Sequence, residues 1–550
     1  MKKILMLAST LTVFVLLLSA CANPTPPAPT QAPPKAAEPT KAPEPTKAPV
    51  PTAVPQPTKA PEPTKATGVG QPVRGGTLIS ALGAQDVRGF KTWQDTTSNE
   101  THVDYILYDT FVKYDDDYKI TGSLIESWET KDGQSWALRV RKGVKWHDGV
   151  EMTAQDFIDY IDTVLKPEAG AANETKKMYN GAKYQLVDQY TFKLDLPKPN
   201  AVLLDGFTAQ WLSRAKNFDE KRPIGTGPFK FVEWNRSQSI KFARNENYWR
   251  TGLPYLDGVT IQFVPDATTR NNMLLAGQVH ISQSVAHADV KKLADAGMQI
   301  IKTPDKYMVA MYYLPMKNTV KPFDNKKVRQ AINWAIDRNA LLQITFGYGW
   351  LKSNPVAAGS WAFNPKAVSY DKRDLERAKQ LMKEAGYEPG KPAFTTSLKL
   401  LKERPENLQI AQVVQANLAD IGITVNLQVL EIGQWVDTVN SKHDFEMALT
   451  SLVPRWDPND QLGNAYVTDD GSALEWKNAE FLAAWEGGAA SPDIEKRKPF
   501  YDKAQEIAME EAPCAILNGA PRFHATAKNI RDVIRYNRND IWYERIWIQP

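Results

Sequence analysis

Hydrophobic and polar positions along the chain change period several times, and each change marks an element. Thr153-Ala154-Gln155-Asp156 reads as a helix-capping box, followed by Phe157, Ile161, Val164 and Leu165 on one face. Val328, Ala331, Ile332, Ala335 and Ile336 repeat at helical spacing after the start at Asp324-Asn325. Leu375, Ala378, Leu381, Met382 and Ala385 do the same, with Gly386 as the C-terminal stop. A fourth helical run through Val413, Val414 and Leu418 ends at Gly422, after which Ile423, Val425, Leu427 and Val429 alternate as a strand. This helix, glycine, strand succession predicts α/β layering. Gly75-Gly76 leads into Thr77-Leu78-Ile79, a β-type run that opens the fold.

The N-terminal region has a different pattern. Lys2 and Lys3 precede an apolar run from Ile4 to Leu18, and Leu18-Ser19-Ala20-Cys21 follows. Small residues before a Cys resemble the lipobox of bacterial lipoproteins, so residues 1–21 are expected to direct export and Cys21 to carry a lipid. An ordinary signal peptide with an incidental Cys is the alternative. A lipidated Cys21 leaves Cys514 alone and excludes an internal disulfide. No later segment is apolar enough to span a bilayer, so the expectation is a chain anchored to a membrane rather than crossing it. Residues 22–72 are rich in Pro, Thr and Lys, and Lys-Ala-Pro-Glu-Pro-Thr-Lys-Ala occurs at 41–48 and again at 59–66. With little apolar surface to bury, this tract is expected to be a disordered tether. In polyproline II form it reaches on the order of 100 Å.

Composition narrows the function classes. A net charge of +4 over 550 residues, with Lys and Arg interspersed among Asp and Glu, implies no nucleic-acid partner. The length suits two or three cores, and no second linker interrupts the body, so its domains are expected to be joined by packed crossings with a ligand between them. The six histidines (102, 147, 280, 287, 443 and 524) show no metal-site spacing, and no cofactor is expected. His147 lies in a Trp-His-Asp-Gly block that reads as a hydrogen-bonded turn. Gly225-Thr226-Gly227 lacks the Lys-Ser/Thr of a phosphate loop and reads as a turn into the Phe229–Trp234 strand. The nucleophile-elbow and zinc-protease motifs are absent, and Asp115-Asp116-Asp117 reads as a charged loop, so an enzyme is not expected.

A series of blocks resembles the family 5 extracellular solute-binding proteins. They are Tyr108 to Val112, Leu124 to Trp128, Leu138 to Gly149, Gly225 to Phe229, Asn245 to Trp249, Asp324 to Ala331, and Glu384 to Tyr387. Their order and spacing over about 450 residues carry the resemblance more than any one block does. It implies an α/β periplasmic-binding-protein-like clamp of type II with an extra inserted lobe. Lobe I is expected at 73–110, 222–305 and 513–550, lobe II at 111–221 and lobe III at 306–512. The implied function is solute capture for an ABC importer permease, by a monomer at the outer face of the cytoplasmic membrane. The solute class is peptide by family. An oligosaccharide ligand, which would suit the 16 Trp residues, stays open, as does a surface receptor or adhesin uncoupled to a transporter.

For the ligand, the informative stretch is Trp435 to Pro458. In peptide-binding relatives an aromatic matching Trp435 lines the cleft, and an Asp-Tyr-x-Asp/Glu-Pro-like turn supplies the acid that holds the peptide amine. Here Val453-Pro454-Arg455-Trp456-Asp457-Pro458 occupies that turn. Pro454 or Arg455 stands where the amine-binding Asp is expected, and neither side chain accepts a hydrogen bond from an ammonium. The resemblance therefore implies Trp435, Arg455, Trp456 and Asp457 as ligand-binding residues, and it departs from free-peptide specificity at this turn.

Overall fold

A computed structural model describes residues 70–550 except 95–97, 116–118, 304–309, 389, 403–404, 453–455, 468–473 and 536–540. The expected export signal, Cys21, nearly all of the expected tether, and Arg455 lie outside the described residues. The body is built on three principal sheets, each with its own core.

The first lobe holds a seven-stranded sheet in the order Gln299–Lys302, Phe523–Thr526, Ile281–Val285, Thr77–Leu82, Gly258–Phe263, Ser239–Arg244, Phe229–Asn235. Thr77–Leu82 runs parallel to both of its neighbours. Leu78, Leu82, Val259, Ile261 and Ile281 meet Val103, Ile106 and Leu107 of the helix Ser98–Leu107 in one core.

An antiparallel sheet of four strands (Ile125–Glu129, Ser135–Val140, Thr191–Asp195, Lys183–Asp188) forms the second lobe. The helix Ala154–Leu165 covers it, and its capping box is present as expected, with the Thr153 amide donating to Asp156 Oδ2 at 2.7 Å. Phe157, Tyr160, Ile161 and Val164 are buried from that helix against Leu138, Phe192 and Leu194. This is the 3.6-residue face meeting the period-2 face.

The third lobe carries a six-stranded sheet in the order Trp350–Leu351, Cys514–Ala520, Ala310–Pro315, Met447–Leu452, Phe394–Leu401, Ile423–Leu430. One of its faces is covered by the helices Lys326–Ala335, Leu375–Glu384 and Pro405–Ala419. On the other face Leu462, Phe481, Tyr501 and Ile507 pack from three further helices. Gly386 and Gly422 both take left-handed backbone angles (φ +95° and +84°), which end the helices before them. In Ile423–Leu430 the expected alternation holds through Leu427 and then slips: Val429 is exposed and Leu430 buried.

One expected boundary moves. Cys514–Ala520, placed with lobe I from the sequence, pairs with Ala310–Pro315 on one side and Trp350–Leu351 on the other. It therefore belongs to the third-lobe sheet, and the chain enters the first sheet only at Phe523. All seven residues of that strand are buried, so it has no amphipathic period to show which sheet it joins. The chain crosses between these lobes twice, after Lys302 and after Ala520. The crossings are bonded to each other, the Thr303 amide donating to Arg522 O at 3.2 Å.

Two of the sequence blocks are stitched together by His147. Its Nδ1 accepts from the Gly225 amide at 3.2 Å, and its Nε2 lies 3.1 Å from Gly227 O, so the ring is neutral with the proton on Nε2. Burial pulls its pKa down to about 4. Any side chain at Gly225 or Gly227 would run into the backbone of Leu107, which is why this turn needs glycine.

Candidate ligand-binding cleft

Strand direction locates the cleft. In the first lobe, Val285 and Lys302, the last residues of their strands, both pair with Phe523 just beyond the second crossing. In the third lobe, Phe394–Leu401, Ile423–Leu430 and Met447–Leu452 run parallel. Leu452, at the carboxyl end of its strand, pairs with Met311 just beyond the first crossing. Both sheets thus turn the carboxyl ends of their parallel strands toward the space between the lobes, where α/β folds bind ligands. The short helix Ile432–Trp435, just after Ile423–Leu430, carries Trp435, and the loop after Met447–Leu452 carries Trp456 and Asp457.

The structure gives these residues different surroundings. Trp435 is 5% exposed and packs with Leu430, Val439, Phe445 and Ala448 in a small satellite core. Half-buried Trp456 packs against Tyr114 of the hairpin formed by Val112–Tyr114 and Ile120–Gly122, as does Ile120. The Tyr114 hydroxyl is hydrogen-bonded to Asp205. Asp457 caps the helix Pro458–Tyr466, its Oδ1 accepting from the Asn459 amide at 2.9 Å. Arg497 Nη2 also donates to Asp457 Oδ1 at 2.7 Å and Oδ2 at 2.9 Å. Arg497 bonds Gly488 O and the Tyr501 hydroxyl as well. Burial works against its charge, yet Asp457 and Tyr501 hold its pKa above the ordinary value. Asp457 is therefore committed within the third lobe.

Other groups at the lobe junctions escaped the sequence reading. On the other face of the same hairpin, Lys113 Nζ lies 5.2 Å from the Trp542 ring centre. Tyr105 meets Trp542 at 5.7 Å and Trp211 edge-on at 5.2 Å. Burial, and then the nearby Arg250 charge, pull the Lys113 pKa down to about 8. Beneath them lies a buried network. Asp109 accepts from the Tyr248 hydroxyl at 2.9 Å, Trp249 Nε1 at 2.9 Å and Thr226 Oγ1 at 3.0 Å. The Tyr248 hydroxyl also lies 2.7 Å from Glu544 Oε2, and Arg250 donates to Glu544 Oε1 at 2.9 Å. One phenol hydrogen cannot serve two carboxylates, so one acid carries a proton. Burial raises the Asp109 pKa. Asp109 lies in the Tyr108 block and Tyr248 and Trp249 in the Asn245 block, and only folding brings them together.

The second and third lobes also touch directly. The Ala201 amide donates to Ala489 O at 2.7 Å, and Lys198 pairs with Glu486 at 2.6 Å. With Trp456 against Tyr114, these contacts bridge the two lobes.

Residues 119–473 match the sequence model of the family described as bacterial extracellular solute-binding proteins, family 5 Middle. The chain belongs to this family. Heme-binding protein A of Haemophilus influenzae is 31% identical over 436 residues, 72% of this chain and 78% of that protein. Glutathione-binding protein GsiB of Salmonella choleraesuis is 28% identical over 483 residues, 82% of this chain and 92% of that protein. The oligopeptide-binding protein AppA of Bacillus subtilis, solved with a nonapeptide, superposes with a TM-score of 0.75 at 25% identity, covering 87% of this chain and 100% of that one. The family 5 fold is the multi-lobed α/β clamp expected from the sequence, and its members are extracellular substrate-binding proteins rather than enzymes. In this family 5 chain, no helix among the described residues is long and apolar enough to cross a membrane.

Proposed function

We propose that this chain is the substrate-binding lipoprotein of an ABC-type importer. A lipid on Cys21 holds it at the outer face of the cytoplasmic membrane, and residues 22–72 tether the clamp. The first and third lobes close over a peptide-class solute and present it to the permease. Trp456 forms a wall of the cleft, and Trp435 supports the loop behind it from within its satellite core.

The observation that carries the specificity is the engagement of Asp457. Its carboxylate already serves Arg497 and a helix cap, so it is not free to hold a ligand ammonium. A buried ammonium without a partner is costly. The end of the solute near Trp456 is therefore neutral or anionic, as in an N-blocked or side-chain-linked peptide. The relatives named for heme, glutathione and oligopeptides show that the family clamp accommodates diverse solutes.

Calorimetry on residues 68–550 tests this reading with one peptide series in free and acetylated form, alongside cello- and xylo-oligosaccharides. Acetylated peptides are expected to bind at least as tightly as free ones. Tight binding of free-amine peptides that is lost on acetylation overturns the specificity. Binding of the sugars alone overturns the peptide class.

A further inference from the structure

The third lobe meets the second at two separate places. At one, Trp456 packs against Tyr114. At the other, the Ala201 amide donates to Ala489 O at 2.7 Å, and Lys198 pairs with Glu486. On the third lobe these contacts come from different elements. Trp456 precedes the helix Pro458–Tyr466, whereas Ala489 caps the carboxyl end of the helix Ala479–Gly488.

One side chain joins them. Arg497, buried in the helix Ile494–Glu511, holds both oxygens of Asp457 with Nη2 at 2.7 and 2.9 Å, one residue from Trp456. Its Nε donates to Gly488 O at 2.7 Å, one residue from Ala489. A side chain at 488 would collide with the Tyr501 ring, so glycine there lets the backbone come down onto the guanidinium. The guanidinium is a rigid planar fork, so shifting one segment against the other breaks a bond to it. A second tie, from Trp485 Nε1 to Asn459 O at 2.8 Å, stops short of Ala489. Gly487 and Gly488 lie between that tie and the contact with the second lobe, and they leave the backbone free to move there unless Arg497 holds it.

We propose that Arg497 is a positioning residue for solute capture, an inference that rests on the clamp reading above. It fixes Ala489 to the turn that carries Trp456, so the two contacts with the second lobe form and part together. A solute that displaces Trp456 then alters the contact at Ala489 without touching it.

Disulfide formation in the full-length protein, with no solute added, tests the coupling. Ala201→Cys and Ala489→Cys place thiols at the far contact, and mass spectrometry of the peptide pair spanning positions 201 and 489 counts that link only; Cys514 is buried. Trp456→Ala is expected to slow the link about threefold while Arg497 is present. In Arg497→Lys, where a point charge replaces the fork, Trp456→Ala is expected to leave the rate unchanged. Arg497→Gln removes the fork as well and gives the same result, which keeps the test decisive if Arg497→Lys folds poorly. Leu418→Ala truncates the core on the other face of the third-lobe sheet, so it destabilises the lobe without cutting the tie, and the threefold effect persists in it. An equal effect of Trp456→Ala with and without Arg497, or no effect in the wild-type background, overturns the proposal. Loss of the effect in Leu418→Ala overturns it equally, since general destabilisation then accounts for the coupling. With no solute present, none of these results bears on what the cleft binds.

Discussion

Arg497 reaches both carboxylate oxygens of Asp457 from 40 residues further along the chain, at 2.7 and 2.9 Å. The pair is nearly buried, with side-chain exposures of 7% and 13%. Breaking such a pair from one side costs about 3–5 kcal/mol, because the other charge is left without its partner. Arg497→Met is expected to destabilise the protein by that amount in urea unfolding. Adding Asp457→Asn is expected to recover part of the loss, so the double variant falls short of the sum of the singles.

The two candidate tryptophans separate under mutation. Trp435→Ala empties a buried site and is expected to cost about 3–5 kcal/mol of stability. Trp456→Ala removes a half-buried ring at a lobe junction and is expected to weaken solute binding about tenfold, roughly 1.4 kcal/mol. Calorimetric titration beside differential scanning calorimetry distinguishes the two effects.

Asp109 predicts a pH dependence. Its carboxyl is held above the ordinary value of 3.8, first by burial and then by Glu544, against the pull of Arg250, Trp249 and Tyr248. The folded state therefore binds this proton more tightly than the unfolded chain. The resulting stability is complete below 3.8 and fades as pH rises through the folded value. Asp109→Asn keeps a neutral group there, so its thermal midpoint is expected to fall less steeply than that of the wild type as pH rises above 3.8.

Closure is expected to lower the radius of gyration on solute binding, measured by solution scattering. Lys198 and Glu486 are exposed, so Lys198→Ala is expected to change the energetics of closure by less than about 1 kcal/mol. The backbone bond from Ala201 to Ala489 is untouched by that substitution.

Cys21→Ser is expected to move the protein from the membrane fraction to the soluble fraction, because the lipid is the only proposed attachment. Retention of the variant in membranes after a high-salt wash counts against the anchor.

What the sequence revealed was local. The capping box at Thr153, the helix stops at Gly386 and Gly422, and the turn around His147 are each written within a few residues, and the structure contains them all. The sheet that receives Cys514–Ala520 was not legible, since an all-apolar strand fits either lobe and only distant partners decide. The site was legible as a list of candidates. That Asp457 is spent on Arg497 could not be read, because the pair closes over a span in which nothing marks one for the other. An indole in a satellite core and an indole at a lobe junction also look alike in one dimension; Trp435 and Trp456 differ only through what packs around them.

The late arrival of Phe523–Thr526 sets an order of assembly. This strand lies between Ile281–Val285 and Gln299–Lys302, so without it the first sheet ends in an unpaired edge and its last strand has no neighbour. A chain synthesised from its N-terminus can form the second lobe early, but it cannot complete the first until almost all 550 residues have been made. Through that interval the nascent protein carries an open strand edge, the feature most prone to pairing with other chains. Truncation near residue 513 fixes the protein in that state and removes the strand Cys514–Ala520 from the third-lobe sheet as well. A premature stop before Phe523 is therefore expected to yield an aggregating polypeptide rather than a slightly shortened binding protein.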